Sequence, residues 1–162
     1  MKTSQDFLIE SKLQPPGAGL PLSQRLFLKW VMGPLLSKRK SPAECRTDYE
    51  RLIEKFIEKL SKAPLGLRAT RVLVDPMPGL EDSSRFWSLS GVVEHLLIVS
   101  RSMESIILSL SAGKIPEGKA DVVAVKPHHL QDLLEEYKEY APELMKRLDQ
   151  RLSEPNTDLG SP

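Results

Sequence analysis

The chain has 162 residues, 40% of them hydrophobic, and its 23 Lys and Arg against 22 Asp and Glu leave a net charge of +1. That is enough chain for one domain with a buried core, and it lacks the basic excess expected of a dedicated nucleic-acid binder. The lone cysteine, Cys45, excludes an intrachain disulfide and fits a reducing compartment.

The first residues are polar and carry no secretory signal pattern. The most apolar stretch, Leu26 to Leu36, is broken by Lys29, Gly33 and Pro34. It falls well short of the roughly 20 residues a bilayer span requires, so no transmembrane segment and a cytoplasmic location are expected. After Pro15-Pro16-Gly17, the residues Leu22, Leu26, Phe27, Trp30, Val31, Leu35 and Leu36 recur at helical spacing and Lys38-Arg39-Lys40 follows. This predicts one amphipathic helix over 22–36, either packed on the rest of the chain or, with its basic flank, lying on a membrane surface.

Ser41-Pro42-Ala43-Glu44 reads as a capping box with proline in the first helical position. The helix that follows carries Cys45, Tyr49, Leu52, Ile53, Phe56, Ile57 and Leu60 on one stripe and stops near Ala63-Pro64. On that stripe Cys45 is expected to be a small buried core residue rather than a nucleophile. Residues 64–86 are a long connection rich in Pro and Gly, with one β-like scrap at Arg71-Val72-Leu73-Val74, and Pro76, Pro78 and Gly79 keep the connection from being a regular element.

A second helix is expected from the cap Ser88 to Gly113, where glycine supplies the left-handed turn-off. Its heptad seam runs through Val92, Leu96, Val99, Met103, Ile106 and Leu110, with Val93, Leu97 and Ile107 widening the face. A third helix is expected to start at Pro127 and to carry Leu130, Leu133, Leu134, Tyr137, Ala141, Leu144, Met145, Leu148 and Leu152 inward. Pro142 should kink or split it. Its acidic residues, Asp132, Glu135, Glu136, Glu139 and Glu143, form a solvated face.

The fold class is therefore all-α. An extension of residues 1–40 with one short amphipathic helix precedes a helical bundle over 41–153 and a flexible tail over 154–162. Three wide apolar stripes call for a fourth helix, supplied by the 22–36 segment, by another chain or by sequence past Pro162.

Trp87-Ser88, Val92-Val93-Glu94-His95-Leu96 and Gly113-Lys114-Ile115-Pro116 together resemble the second helix of the DinB/YfiT-like superfamily of four-helix bundles. The flanking helices match it in length and order. The resemblance covers about residues 42 to 152 and implies a divalent metal (Zn, Ni or Fe), with His95 as one ligand. It also implies a low-molecular-weight thiol (bacillithiol, mycothiol or glutathione) as the partner of an S-transfer or isomerisation. The family draws two further histidines from an H-x-x-x-H on its last helix, and this sequence has no histidine after His129.

Read by position alone, His95 lies at the edge of the apolar stripe, where it is either a ligand or a core-border residue hydrogen-bonded to a neighbour. His128 and His129 are expected to be exposed first-turn residues, and the parallel run of the second and third helices that the resemblance implies puts them about 10 Å along the axis from His95. Glu94 faces away from His95. No phosphate loop, C-x-x-C, G-x-S-x-G or H-E-x-x-H occurs. Two functions follow as expectations: a DinB-like metal-binding protein, with thiol-dependent S-transfer as its activity, or a non-catalytic interaction module that dimerises through a face the fourth helix leaves open.

Overall fold

A computed structural model describes residues 4–16, 18–36, 41–116, 124–128 and 132–153. Among them lie α1 (Ser4–Glu10), α2 (Leu22–Phe27), a π-helical turn (Leu28–Met32), α3 (Gly33–Leu36), α4 (Pro42–Lys62) and α5 (Leu65–Arg68). These are followed by β1 (Val72–Leu73), β2 (Phe86–Trp87), α6 (Leu89–Ser111) and α7 (Leu134–Ser153). The described chain is mostly helical. No helix among these residues is long and apolar enough to cross a membrane.

Local chemistry sets the ends of the long helices. At the start of α4, the Glu44 amide donates to Ser41 Oγ at 3.2 Å and the Ser41 amide donates to Glu44 Oε2 at 2.7 Å, completing the capping box. Ser88 caps α6 by accepting from the Gly91 amide at 3.0 Å. At the other end of α6, Gly113 takes φ +70°. The Lys114 amide then reaches back to the Ser109 carbonyl and the Gly113 amide to that of Leu110, two bonds that close a Schellman turn.

Two expectations about the elements are corrected. The third helix begins at Leu134 rather than Pro127, with Asp132 just before it accepting from the Leu134 amide at 3.2 Å. Pro142 does not split it: α7 is helical throughout, and Pro142 sits on its exposed side. The β-like scrap expected in the connection between α5 and α6 forms a strand. Val72 pairs with Trp87 and Leu73 with Phe86 in a short antiparallel ladder. The 22–36 segment is helical as expected but passes through a π-helical turn just before Gly33-Pro34, and α1 was not anticipated by any periodicity. The predicted tail lies outside the described residues.

The core is centred on α7, which packs against α6 on one side and α4 on the other. Leu60, Val93, Leu97, Leu134, Tyr137 and Ala141 are its buried centre, with Ile53, Phe56, Ile57, Leu96, Leu133 and Tyr140 packed around it. Phe56 meets Tyr137 edge-on, ring centroids 5.8 Å apart. The inward face of α6 is rotated from the heptad seam. Val93 and Leu97 are deepest, whereas Met103, Ile106 and Leu110 stay exposed, because α7 covers only one side of α6. Cys45 is also exposed rather than buried. At that level Arg46, about 100° around the helix, faces α7, donating to the Met145 carbonyl and pairing with Asp149.

A charged latch closes the far end of α6 onto α7. Glu104 accepts from Arg147 Nε at 2.8 Å and from the Tyr140 hydroxyl at 2.6 Å. The Arg147 and Arg101 guanidinium groups lie 4.5 and 5.3 Å from the centre of the Tyr140 ring. The Arg147 hydrogen bond, opposed by burial and helped by Tyr140, holds the Glu104 carboxyl below the usual range. Burial, reinforced by the Glu104 carboxylate, pushes the Tyr140 hydroxyl up to about 12.

A depressed carboxyl contributes stability that is complete above its unfolded pKa and is lost as pH falls through its folded one. A raised tyrosine contributes stability that is complete below about 10 and fades as pH climbs toward 12. Urea midpoints measured across pH should therefore fall at both extremes, with Glu104→Gln flattening the acid limb and Tyr140→Phe the alkaline one. Leu97→Ala should cost about 2–5 kcal/mol at neutral pH, whereas Leu110→Ala should cost far less.

Candidate functional site

The first turns of α6 carry the residues singled out by the sequence, and the chain after α6 returns to them. His95 Nδ1 lies 2.5 Å from the Val125 carbonyl oxygen. A carbonyl only accepts, so His95 Nδ1 carries a proton and donates it to Val125. Trp87 lies beside the imidazole, ring centroids 5.0 Å apart and planes tilted by 59°. β2 ends at Trp87 and Ser88 caps α6, so strand and helix meet at the position that brings Trp87 beside His95.

His128 is exposed, as expected, but it is not in a helix. Its Nδ1 lies 3.1 Å from Glu94 Oε1, whose side chain is only 9% exposed. Instead of opening a helix, the segment 124–128 runs alongside α6, setting the Val125 carbonyl on His95 and His128 on Glu94. Glu94 is buried, and a buried carboxylate needs such partners. His129 lies outside the described residues.

A polar shelf next to Trp87 had no signal in the sequence. Lys126 Nζ donates to Glu81 Oε2, Ser83 Oγ and Ser84 Oγ at 2.6, 2.9 and 2.7 Å, and lies 5.5 Å from the centre of the Trp87 ring. Nearby, Asp82 accepts from the Gln14 amide and from Arg85. In that order of strength, these two bonds hold its carboxyl below the usual range. Arg71 pairs with Glu10. The N-terminal extension is thereby tied to the loop before α6, and a cavity of about 310 Å³ opens between them, lined by Glu10, Leu13, Arg71, Phe86, Trp87 and Lys126 among others. No residue spacing could announce this shelf, since its members come from three separated segments.

The metal implied by the sequence resemblance needs several donors. Among the described residues no group of three His, Cys, Asp or Glu side chains is placed to hold an ion. His95 is oriented as a ligand would be, its far nitrogen fixed by a backbone carbonyl, but the described residues supply one such donor and not a complete centre. Cys45, on the exposed first turn of α4, is not part of this cluster.

Compared with protein-family models, with curated proteins and with solved structures, the chain matches none.

Lys126 and Glu81 are each 17% exposed, so removing one leaves the other charged and poorly hydrated. Lys126→Met should lower unfolding stability by about 1–3 kcal/mol in urea titrations. The double variant with Glu81→Gln should recover part of that loss.

Proposed function

We propose that this chain is a DinB-like helical-bundle protein that takes up a divalent metal (Zn, Ni or Fe) at the start of α6, with His95 Nε2 as its ligand from that helix. One observation supports the reading. The Val125 carbonyl accepts from His95 Nδ1, which leaves Nε2 as the nitrogen for a metal, with Trp87 beside the ring. Such a partner suits a ligand histidine, because a ring that must first choose its orientation loses affinity. A low-molecular-weight thiol is the matching co-substrate class, and thiol-dependent S-transfer is the activity to assay first.

A second reading has its own support. With no three-donor group among the described residues, the bundle serves as a non-catalytic module that binds a second copy of itself. The contact surface would be the open groove of about 830 Å³ between α4 and α7, lined by Tyr49, Ile53, Ile57, Pro142 and Lys146 among others.

Metal content decides between them. Untagged protein purified without chelators should carry near-stoichiometric metal, and His95→Ala should retain at least about tenfold less. Metal-free protein in both cases would sink the first reading. A mass that rises with concentration in light scattering would then support the second.

A further inference from the structure

The helical segment 22–36 turns its apolar residues the wrong way for a packed helix. Gln24, Leu28 and Met32, one row at four-residue spacing, are half-buried. Leu28 faces the loop at Gly79, where an added Cβ would lie 3.9 Å from its Cδ1. The neighbouring row is turned outward: Leu22 is 70% exposed, Leu26 48% and Trp30 68%, with Phe27 and Val31 exposed beside it. Of the two dispositions the sequence left open for this helix, packing on the chain uses only the narrower, less apolar row.

Charge runs with this face. Between Glu10 and Glu44 the sequence contains Lys12, Arg25, Lys29, Lys38, Arg39 and Lys40 and no acidic residue, so the rest of a chain with net charge +1 is net negative. Within the helix, Arg25 and Lys29 follow each other at four-residue spacing beside the outward row. Both are exposed, and neither has an ion-pair partner among the described residues. Lys29 Nζ lies 5.3 Å from the centre of the Trp30 ring, which puts a cation and an amphipathic aromatic side by side. Trp, Phe and Leu on one face with Lys and Arg at its border suit the boundary between headgroups and acyl chains. The apolar residues would enter the acyl layer and the cations would meet lipid phosphates.

We propose that α2, the π-helical turn and α3 form an interfacial helix that docks the protein on an anionic lipid bilayer, through Leu22, Leu26, Phe27, Trp30 and Val31 with Arg25 and Lys29 at the rim. The helix lies on the surface and does not cross it. The bundle stays in water, its net negative remainder turned from the membrane. A nucleic acid would use the cations but has no use for five exposed apolar side chains in one patch. A second copy would bring the same cations face to face.

Co-sedimentation of the full-length protein with vesicles tests this. Vesicles containing phosphatidylglycerol should bind the protein at least about tenfold more tightly than pure phosphatidylcholine, and the binding should weaken as salt rises. Arg25→Gln with Lys29→Gln should weaken it roughly 30-fold, at about 1 kcal/mol per cation. Trp30→Glu should abolish it while the far-ultraviolet circular dichroism stays unchanged. Equal binding to both vesicle types, no binding to either, or indifference to these substitutions would overturn the proposal. So would a concentration-dependent mass that Trp30→Glu removes, because the patch would then belong to a second copy.

Discussion

Helix α7 buries one apolar stripe between two neighbours, and covering that stripe fixes the positions of the other long helices. Tyr137, Ala141, Leu144 and Leu148, all on it, are buried. α6 takes one side through Val93 and Leu97, and α4 takes the other through Phe56 and Leu60. Polar contacts then lock each pairing at a definite height. The Tyr49 hydroxyl donates to the Ala141 carbonyl at 3.1 Å on the α4 side, and Glu104 gathers Tyr140 and Arg147 on the α6 side. Apolar contact gives the attraction, and these directional bonds set the register.

The start of α6 inherits its geometry from this packing. Once α6 is fixed against α7, the segment before it runs back as β2, and the segment after it must return past the same end to reach α7. Arg68 pairs with Asp132 at 3.0 Å, so the residue whose carboxylate meets the first amide of α7 is also held by α5. The two connections therefore meet beside His95, one bringing Trp87 and the other Val125, Lys126 and His128. The polar cluster there is a product of connectivity as much as of any residue pattern.

This explains which features could be read from the sequence. Both ends of α6 and the start of α4 were legible because their signals are local: Ser41 with Glu44, Ser88 with Gly91, and Gly113. The acidic outer face of α7 was legible for the same reason. Cys45 was not, because stripe membership is an angle and burial depends on where the neighbouring helix runs. The heptad seam of α6 failed alike: Met103, Ile106 and Leu110 have the right spacing, but only the side bearing Val93 and Leu97 meets α7. Of the candidate site, His95 was legible as a residue with two possible roles. Its Val125 partner was not, since a backbone carbonyl leaves no trace in a sequence, and neither was the approach of His128 to Glu94 along an irregular segment.

The pairing of α4 with α7 joins parts of the chain made far apart in time. Arg46 reaches Asp149 and Tyr49 reaches Ala141 across 103 and 92 residues. On the ribosome, where chains emerge from the N-terminus, α4 is finished long before its principal partner exists. Its stripe of Ile53, Phe56, Ile57 and Leu60 must wait in water until α7 has been released. The loop-closure entropy of that late docking has to be met before its contacts form. The nascent chain is therefore sticky in the interval between the two helices, and α7 is the element that ends that exposure.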